Sequence, residues 1–242
     1  MYDFEHLLAI CYDIASEHPG QVVFIGGVAA FLHVVNSPLV SAYAEATHDG
    51  DFYVSLAGLH ELRDTDELVS NKRLRKHSFT RAGFDFDVYG QYDSGLIVPF
   101  EEIAAYAVSY DGVNVAAIEH LFALKLAALA DRGGSSKGAK DVRDLARLSL
   151  VEHQFRPELL VPYLRDEDLE VLSGLSSRSE IVGLAKGNVK EIKAIRQKLT
   201  QVIRIVESAS QEATDPDQAC APDKPAGPDP QPPRPSFGKG LR

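Results

Sequence analysis

The spacing of apolar residues changes character once along the chain, near residue 116, and that change limits the fold more than any other feature. Before it, short period-two runs alternate with helical stretches. After it, up to about residue 208, only helical spacing remains. Strands first and helices afterwards is the pattern of an α+β chain. The expected architecture is therefore a small mixed β-sheet with flanking helices over 1–115, followed by a helical subdomain over 116–208. From Ala209 onward the chain is rich in Pro, Asp and Gln with little to bury, so 209–242 is predicted to be a disordered tail.

Within that frame the spacing predicts a helix over 2–17, with Phe4, Leu7, Leu8, Cys11 and Ile14 on one face. A short apolar strand over 21–25 meets Gly26-Gly27, and helical spacing resumes over 28–35. After Asp49 the period becomes two: Asp51, Tyr53 and Ser55 share one face, and Phe52, Val54 and Leu56 the other. Two further strands are predicted over 74–80 and 84–89, joined at Arg81-Ala82-Gly83. Asp111-Gly112 marks a hairpin between 107–110 and 113–116. Helices are predicted over 117–131, 140–148, 157–163, 166–175 and 180–208. The first stops at Gly133-Gly134, and the last carries a stripe from Val189 through Val206.

A formal charge of −10 argues against a general polyanion binder, although it leaves room for a local basic patch. Cys11 and Cys220 are too few and too far apart for a disulfide framework, which points to a reducing compartment. Asp3 and Glu5 stand where a secretory signal would be basic, and no apolar run approaches the ~20 residues of a spanning helix. A cytoplasmic location without membrane contact is expected.

The chemistry concentrates in two places. A strand ending in Gly26-Gly27 and opening a helix lets backbone N–H groups approach a phosphate, although most such pairs are only turns. Asp49 and Asp51, two apart on an extended segment, put both carboxylates on one face about 7 Å apart, where hard cations can be shared. A lone Asp-x-Asp is more often a pair of solvated acids. Asp85 and Asp87 form a second alternating acidic strand between aromatics. Carboxylates on neighbouring strands repel unless cations neutralise them, as two-metal phosphoryl transfer requires.

Gly-Gly, an apolar helix, Thr47-x-Asp49-x-Asp51 and the later Asp87 together resemble the DNA-polymerase-β-type nucleotidyltransferase superfamily. The helical half, Ile118-Glu119-His120-Leu121-Phe122-Ala123-Leu124-Lys125, Arg132 and Lys140-Asp141-Val142-Arg143-Asp144-Leu145, is similar to the AbiEii-type family. These are the toxin halves of bacterial abortive-infection toxin–antitoxin pairs. The resemblance covers about residues 20–150 and implies a nucleotidyltransferase fold. It implies transfer of a nucleoside monophosphate from an NTP to an acceptor hydroxyl, with Mg²⁺ or Mn²⁺ as cofactor. The implied partners are tRNA or another RNA as acceptor and a cognate antitoxin protein. Carried across by position, Gly26 and Gly27 would cradle the triphosphate with Thr47 adding a contact. Asp49, Asp51 and Asp87 would bind metal, with Asp87 helping to activate the acceptor. Lys125 would reach the triphosphate from the helical half, with Asp144 nearby on the next helix.

Two features depart from the family pattern. Glu45 stands two residues before Thr47, where related members often carry arginine, and 29–46 is long and loosely patterned. An acid at position 45 is expected to disfavour an anionic substrate. The alternative is a catalytically degenerate member that keeps the fold as a binding or regulatory partner. On residue type alone, Lys125 on an apolar helix either meets an anion or snorkels to water. Asp144 either joins the site or pairs with Arg143, Arg147 or Lys140. His48 is expected to face away from the acids, and His33 and His120 lack zinc-ligand spacing. The run Lys72-Arg73-Leu74-Arg75-Lys76-His77 with Arg81 suits either RNA backbone or a charged strand edge.

Overall fold

The computed structural model describes residues 2–214; residues 215–242, most of the predicted tail, lie outside the described residues. All strands fall between residues 22 and 115: β1 (Val22–Ile25), β2 (Asp49–Val54), β3 (Val69–Asn71), β4 (Lys76–Arg81), β5 (Phe84–Gly90), β6 (Val108–Tyr110) and β7 (Val113–Val115). They form one mixed sheet in the order β3-β4-β5-β2-β1-β7-β6. β2 pairs antiparallel with β1 and parallel with β5, so the acidic strand lies in the middle of the sheet. Pleating sorts its residues. Phe24, Phe52, Phe79, Phe86 and Val88 share the buried face, and each large side chain placed there contributes ~1.5–3 kcal/mol. Asp49, Asp51, Asp85 and Asp87 share the other. A slip of one residue would exchange Asp51 for Phe52, so core burial fixes the position of the acids.

The helices are α1 (Tyr2–Glu17), α2 (Gly26–Val35), α3 (Leu56–Thr65), α4 (Phe100–Ala105), α5 (Ile118–Arg132), α6 (Ser136–Leu148), α7 (Asp166–Gly174), α8 (Glu180–Leu184) and α9 (Val189–Thr214). α1 buries Leu7, Ile10, Cys11 and Ile14 and sets His6 edge-on to Phe84 at 5.6 Å. α5 and α6 pack on each other and on α2, and one continuous apolar cluster runs from Leu7 to Val206. The Asp111-Gly112 hairpin forms, with both residues at positive φ (49° and 91°) as a primed turn demands.

The structure departs from the sequence expectations in several places. The segment 157–163 is two short 3-10 turns, Pro157–Leu159 and Val161–Tyr163, because Pro162 has no N–H to continue an α-helix. The predicted helix over 180–208 is two helices, broken where Lys186 and Gly187 take positive φ. The second of them continues to Thr214, so 209–214, read as tail, is helical. α3, β3 and α4 carry too little periodicity to have been assigned. α6 starts at Ser136 rather than at 140, because the Ser135 hydroxyl accepts the Gly138 N–H at 3.0 Å as an N-cap.

Candidate active site

In-register parallel pairing sets Asp51 opposite Asp87 and Asp49 opposite Asp85, on strands ~4.8 Å apart. Asp49, Asp51 and Asp87 line one cleft together. Asp85 stays at the exposed edge and accepts from Thr80 at 2.8 Å. The three acids differ in what they meet. Asp49 accepts the Thr47 hydroxyl at 2.6 Å; burial raises its pKa, but that bond with Lys140 and Lys137 holds the carboxyl below its ordinary range. Asp87 is hydrogen-bonded by the Lys76 ammonium. Asp51 accepts no hydrogen bond among the described residues. Burial, then Asp49 and Asp87, push its pKa up to about 6, against the pull of Lys125 and Lys76. Tyr89, the next residue on this face of β5, is pushed up as well, by burial and then by Asp51 and Asp87.

Gly26 and Gly27 make the turn from β1 into α2 at the cleft floor. Gly26 has φ +64°, and a Cβ there would collide with the Asp51 carboxylate. A Cβ on Gly27 would come within 2.8 Å of the Thr47 hydroxyl and 3.1 Å of the Lys140 ammonium. Both positions therefore favour glycine for close approach, and Gly26 for its backbone conformation as well. Thr47 is buried and already committed: it donates to Asp49 and accepts from Lys140 at 2.8 Å, so it positions these two groups.

The opposite wall comes from α5 and α6 and presents Lys125, Arg132, Lys137 and Lys140. Lys125 is buried and donates to Asp144 at 2.6 Å and to Asp141 at 3.3 Å. Burial alone would lower its pKa, but Asp144 and Asp141 outweigh it and the ammonium stays charged. Arg132 holds Asp141 from outside at 2.7 Å, and Arg147 holds Asp144 at 2.8 Å. Arg147 and Arg143 together clamp Glu45, with Arg143 at 2.9 Å. The acid at position 45 is thus neutralised by α6, and the sequence-based objection that it would repel an anion loses its basis.

The cleft holds about 220 Å³, below the ~300–1,000 Å³ of a pocket that encloses a drug-sized ligand. That volume suits phosphates and ions. A shallower hollow of about 680 Å³ adjoins it, shares Asp49, Asp87 and Lys137, and adds Glu67, Ser78, Thr80 and Asp85.

Other candidates fall away from the cleft. His48 is exposed, and His33 lies between Tyr110 and the Ala116 carbonyl. His120 is buried with neither ring nitrogen bonded, and burial depresses its pKa to about 4. Most of the basic run is spent internally: Lys76 on Asp87, Arg75 on the Asp93 carbonyl, His77 on the Asp93 carboxylate, and Arg81 on Asp66 and Glu17. Lys72 and Arg73 alone in it pair with nothing among the described residues. Sequence reasoning missed Lys76, Arg132, Lys137 and Lys140 as cleft residues. The Lys137/Lys140 spacing of three just after a serine cap was the one available signal.

Among the described residues no group of three or more His, Cys, Asp or Glu side chains stands ready to hold a metal ion. The donor chemistry nevertheless fits a hard cation of the magnesium type, which takes one or two carboxylates and completes its shell with water and substrate phosphates. Asp51, with no hydrogen-bond partner among the described residues, and Asp49 beside it on the same face are such a pair.

No family model and no curated protein matches the chain. Among solved structures it is similar to an antigenic nucleotidyltransferase-like protein from Paracoccidioides brasiliensis, at 19% identity and TM-score 0.42 over 69% of this chain and 84% of that one. It is also similar to JHP933 from Helicobacter pylori, at 13% and 0.45 over 90% and 96%. The Megavirus polyadenylate synthase matches at 12% and 0.44 over 70% of this chain and 39% of that one. At such TM-scores a likeness carries no function, which is read from the cleft's own residues.

Proposed function

We propose that the protein is a divalent-cation-dependent nucleotidyltransferase, with the triphosphate of an NTP in the cleft between β2/β5 and α5/α6. One observation supports this above all. On a chain of net charge −10, four basic side chains of two helices face two glycines and three aspartates across one small cleft. Lys137, Lys140, Arg132 and Lys125 would bind phosphate oxygens, while the Gly26-Gly27 turn admits them to the N-terminus of α2. A cation on Asp49 and Asp51 would supply charge neutralisation at the phosphates. The acceptor hydroxyl would enter through the adjoining hollow, and its oxygen would form the new bond to the α-phosphorus. The bond to the pyrophosphate oxygen would break, and the hydroxyl proton would pass towards Asp87. Positioning and electrostatics carry such a transfer, and no protein nucleophile is required.

The nucleotidyltransferase fold, the AbiEii-type assignment, the toxin role and a cognate antitoxin extend this reading and rest on the motif resemblance. The RNA acceptor gains support only from Lys72 and Arg73, since the hollow itself carries Glu67 and Asp85. A second reading, a nucleotide binder without catalysis, is favoured by the Lys76 ammonium already seated on Asp87. Incubation with each α-labelled NTP, Mg²⁺, and RNA, protein or small-molecule acceptors tests the proposal. Label on an acceptor, lost in Asp51→Asn, supports it. Binding of NTP without transfer selects the second reading, and no NTP binding removes both.

A further inference from the structure

We infer that Lys76 is a built-in counter-ion that replaces one of two divalent cations, so that the cleft operates with a single cation on Asp49 and Asp51. This deepens the proposed transfer reaction and rests on it.

The inference follows from how the three carboxylates are shared out. β4 runs antiparallel to β5 with Ser78 opposite Asp87, which puts Lys76 two residues along on the same face and within reach of that acid. Its ammonium is hydrogen-bonded to Asp87 Oδ2, and the two side chains are 19% and 27% exposed, so the pair is largely shielded from competing water. The sheet register itself delivers this positive charge; no loop has to close to bring it in.

Two-metal chemistry sets cations ~3.5–4 Å apart, which concentrates four positive charges on the carboxylates around them. On this face Asp87 is the acid that would serve the second cation, and the partner on its Oδ2 is a full positive charge, which repels a cation approaching the other oxygen, whereas the partner of Asp49 is a neutral hydroxyl. Among the described residues Asp51 accepts no hydrogen bond, and the side-chain partner of Asp49 is the neutral Thr47 hydroxyl. One ammonium and one divalent cation balance three carboxylates. A second cation would have to expel Lys76 or stand beside its ammonium, in a cleft already lined by Lys125, Lys137 and Lys140. Lys125 and Lys140 are held elsewhere, by Asp141 and Asp144 and by Thr47, and Lys137 is exposed at the rim.

Electron paramagnetic resonance of the full chain with two equivalents of Mn²⁺ and a non-hydrolysable NTP analogue tests this without an activity readout. The wild type and Lys76→Arg should show one uncoupled bound ion, with the second left in solution. Lys76→Gln should bind both ions as a spin-coupled pair, with a thermal transition showing that it is folded. Asp87→Asn should still bind one ion. A coupled pair in the wild type, an uncoupled spectrum in folded Lys76→Gln, or loss of the ion in Asp87→Asn overturns the inference. Absence of bound Mn²⁺ in every variant, Asp87→Asn included, instead overturns the metal-dependent reading beneath it.

Discussion

The two walls of the cleft carry similar numbers of charges and treat them in opposite ways. On the helical wall Lys125 has two aspartates and Asp141 and Asp144 each have an arginine, while Arg143 and Arg147 also hold Glu45 from the loop before β2. On the strand wall Asp51 accepts no hydrogen bond among the described residues and is squeezed between two like charges. A closed network holds a shape, whereas an open set of like charges is a place where something positive has to arrive. On the proposed function, the helical wall serves as scaffold with phosphate-facing edges and the strand wall as the site of chemistry.

The comparison breaks most visibly if the walls respond alike to losing one acid. Asp144→Ala leaves Lys125 and Arg147 buried with fewer partners and should cost ~3–5 kcal/mol, read as a lowered urea midpoint. Asp51→Asn should leave folding intact while transfer falls by ~10²–10³-fold. If Asp51→Asn unfolds the protein while Asp144→Ala is silent, the assignment of the two walls is reversed.

A pH series sharpens the contrast. Asp51 titrates higher in the folded protein, about 6, than its ordinary value of 3.8, so folding favours its neutral form. Its contribution is fully present below pH ~4 and is lost as pH rises through 6, an effect of ~1–3 kcal/mol in metal-free protein. Urea melts from pH 4 to 7 should show this slope in the wild type and a flatter one in Asp51→Asn. Equal slopes would mean that the carboxylate is not strained by its neighbours. The smallest effect is at the cleft rim. Lys137 is exposed and has no ion pair among the described residues, so Lys137→Ala should leave the melting temperature unchanged and weaken NTP binding about tenfold. A calorimetric titration decides this, and unchanged affinity would remove Lys137 from the phosphate site.

Much of this was legible in the sequence, for reasons that can be named. The shared face of Asp49, Asp51 and Asp87 was legible because strand periodicity is a two-residue rule that fixes a face locally. Gly26 and Gly27 were found because a strand–glycine–helix junction is contiguous. Glu45 was misjudged, since its meaning depends on Arg143 and Arg147, 98 and 102 positions away. Lys76 was read with its sequence neighbours as either an RNA-backbone contact or part of a charged strand edge, whereas the β4–β5 register turns it towards Asp87.

By itself, then, the sequence determined the α+β order of elements, the acidic face of the central strands and the glycine turn, all set by interactions within a few residues. The tertiary structure alone decided which charges meet. Thr47 receives Lys140 across 93 positions, and α5 and α6 bring their bases over the acids only because α2 and the sheet give them a common core to pack on. Electrostatic partnership depends on distance in space, and no short-range pattern records it.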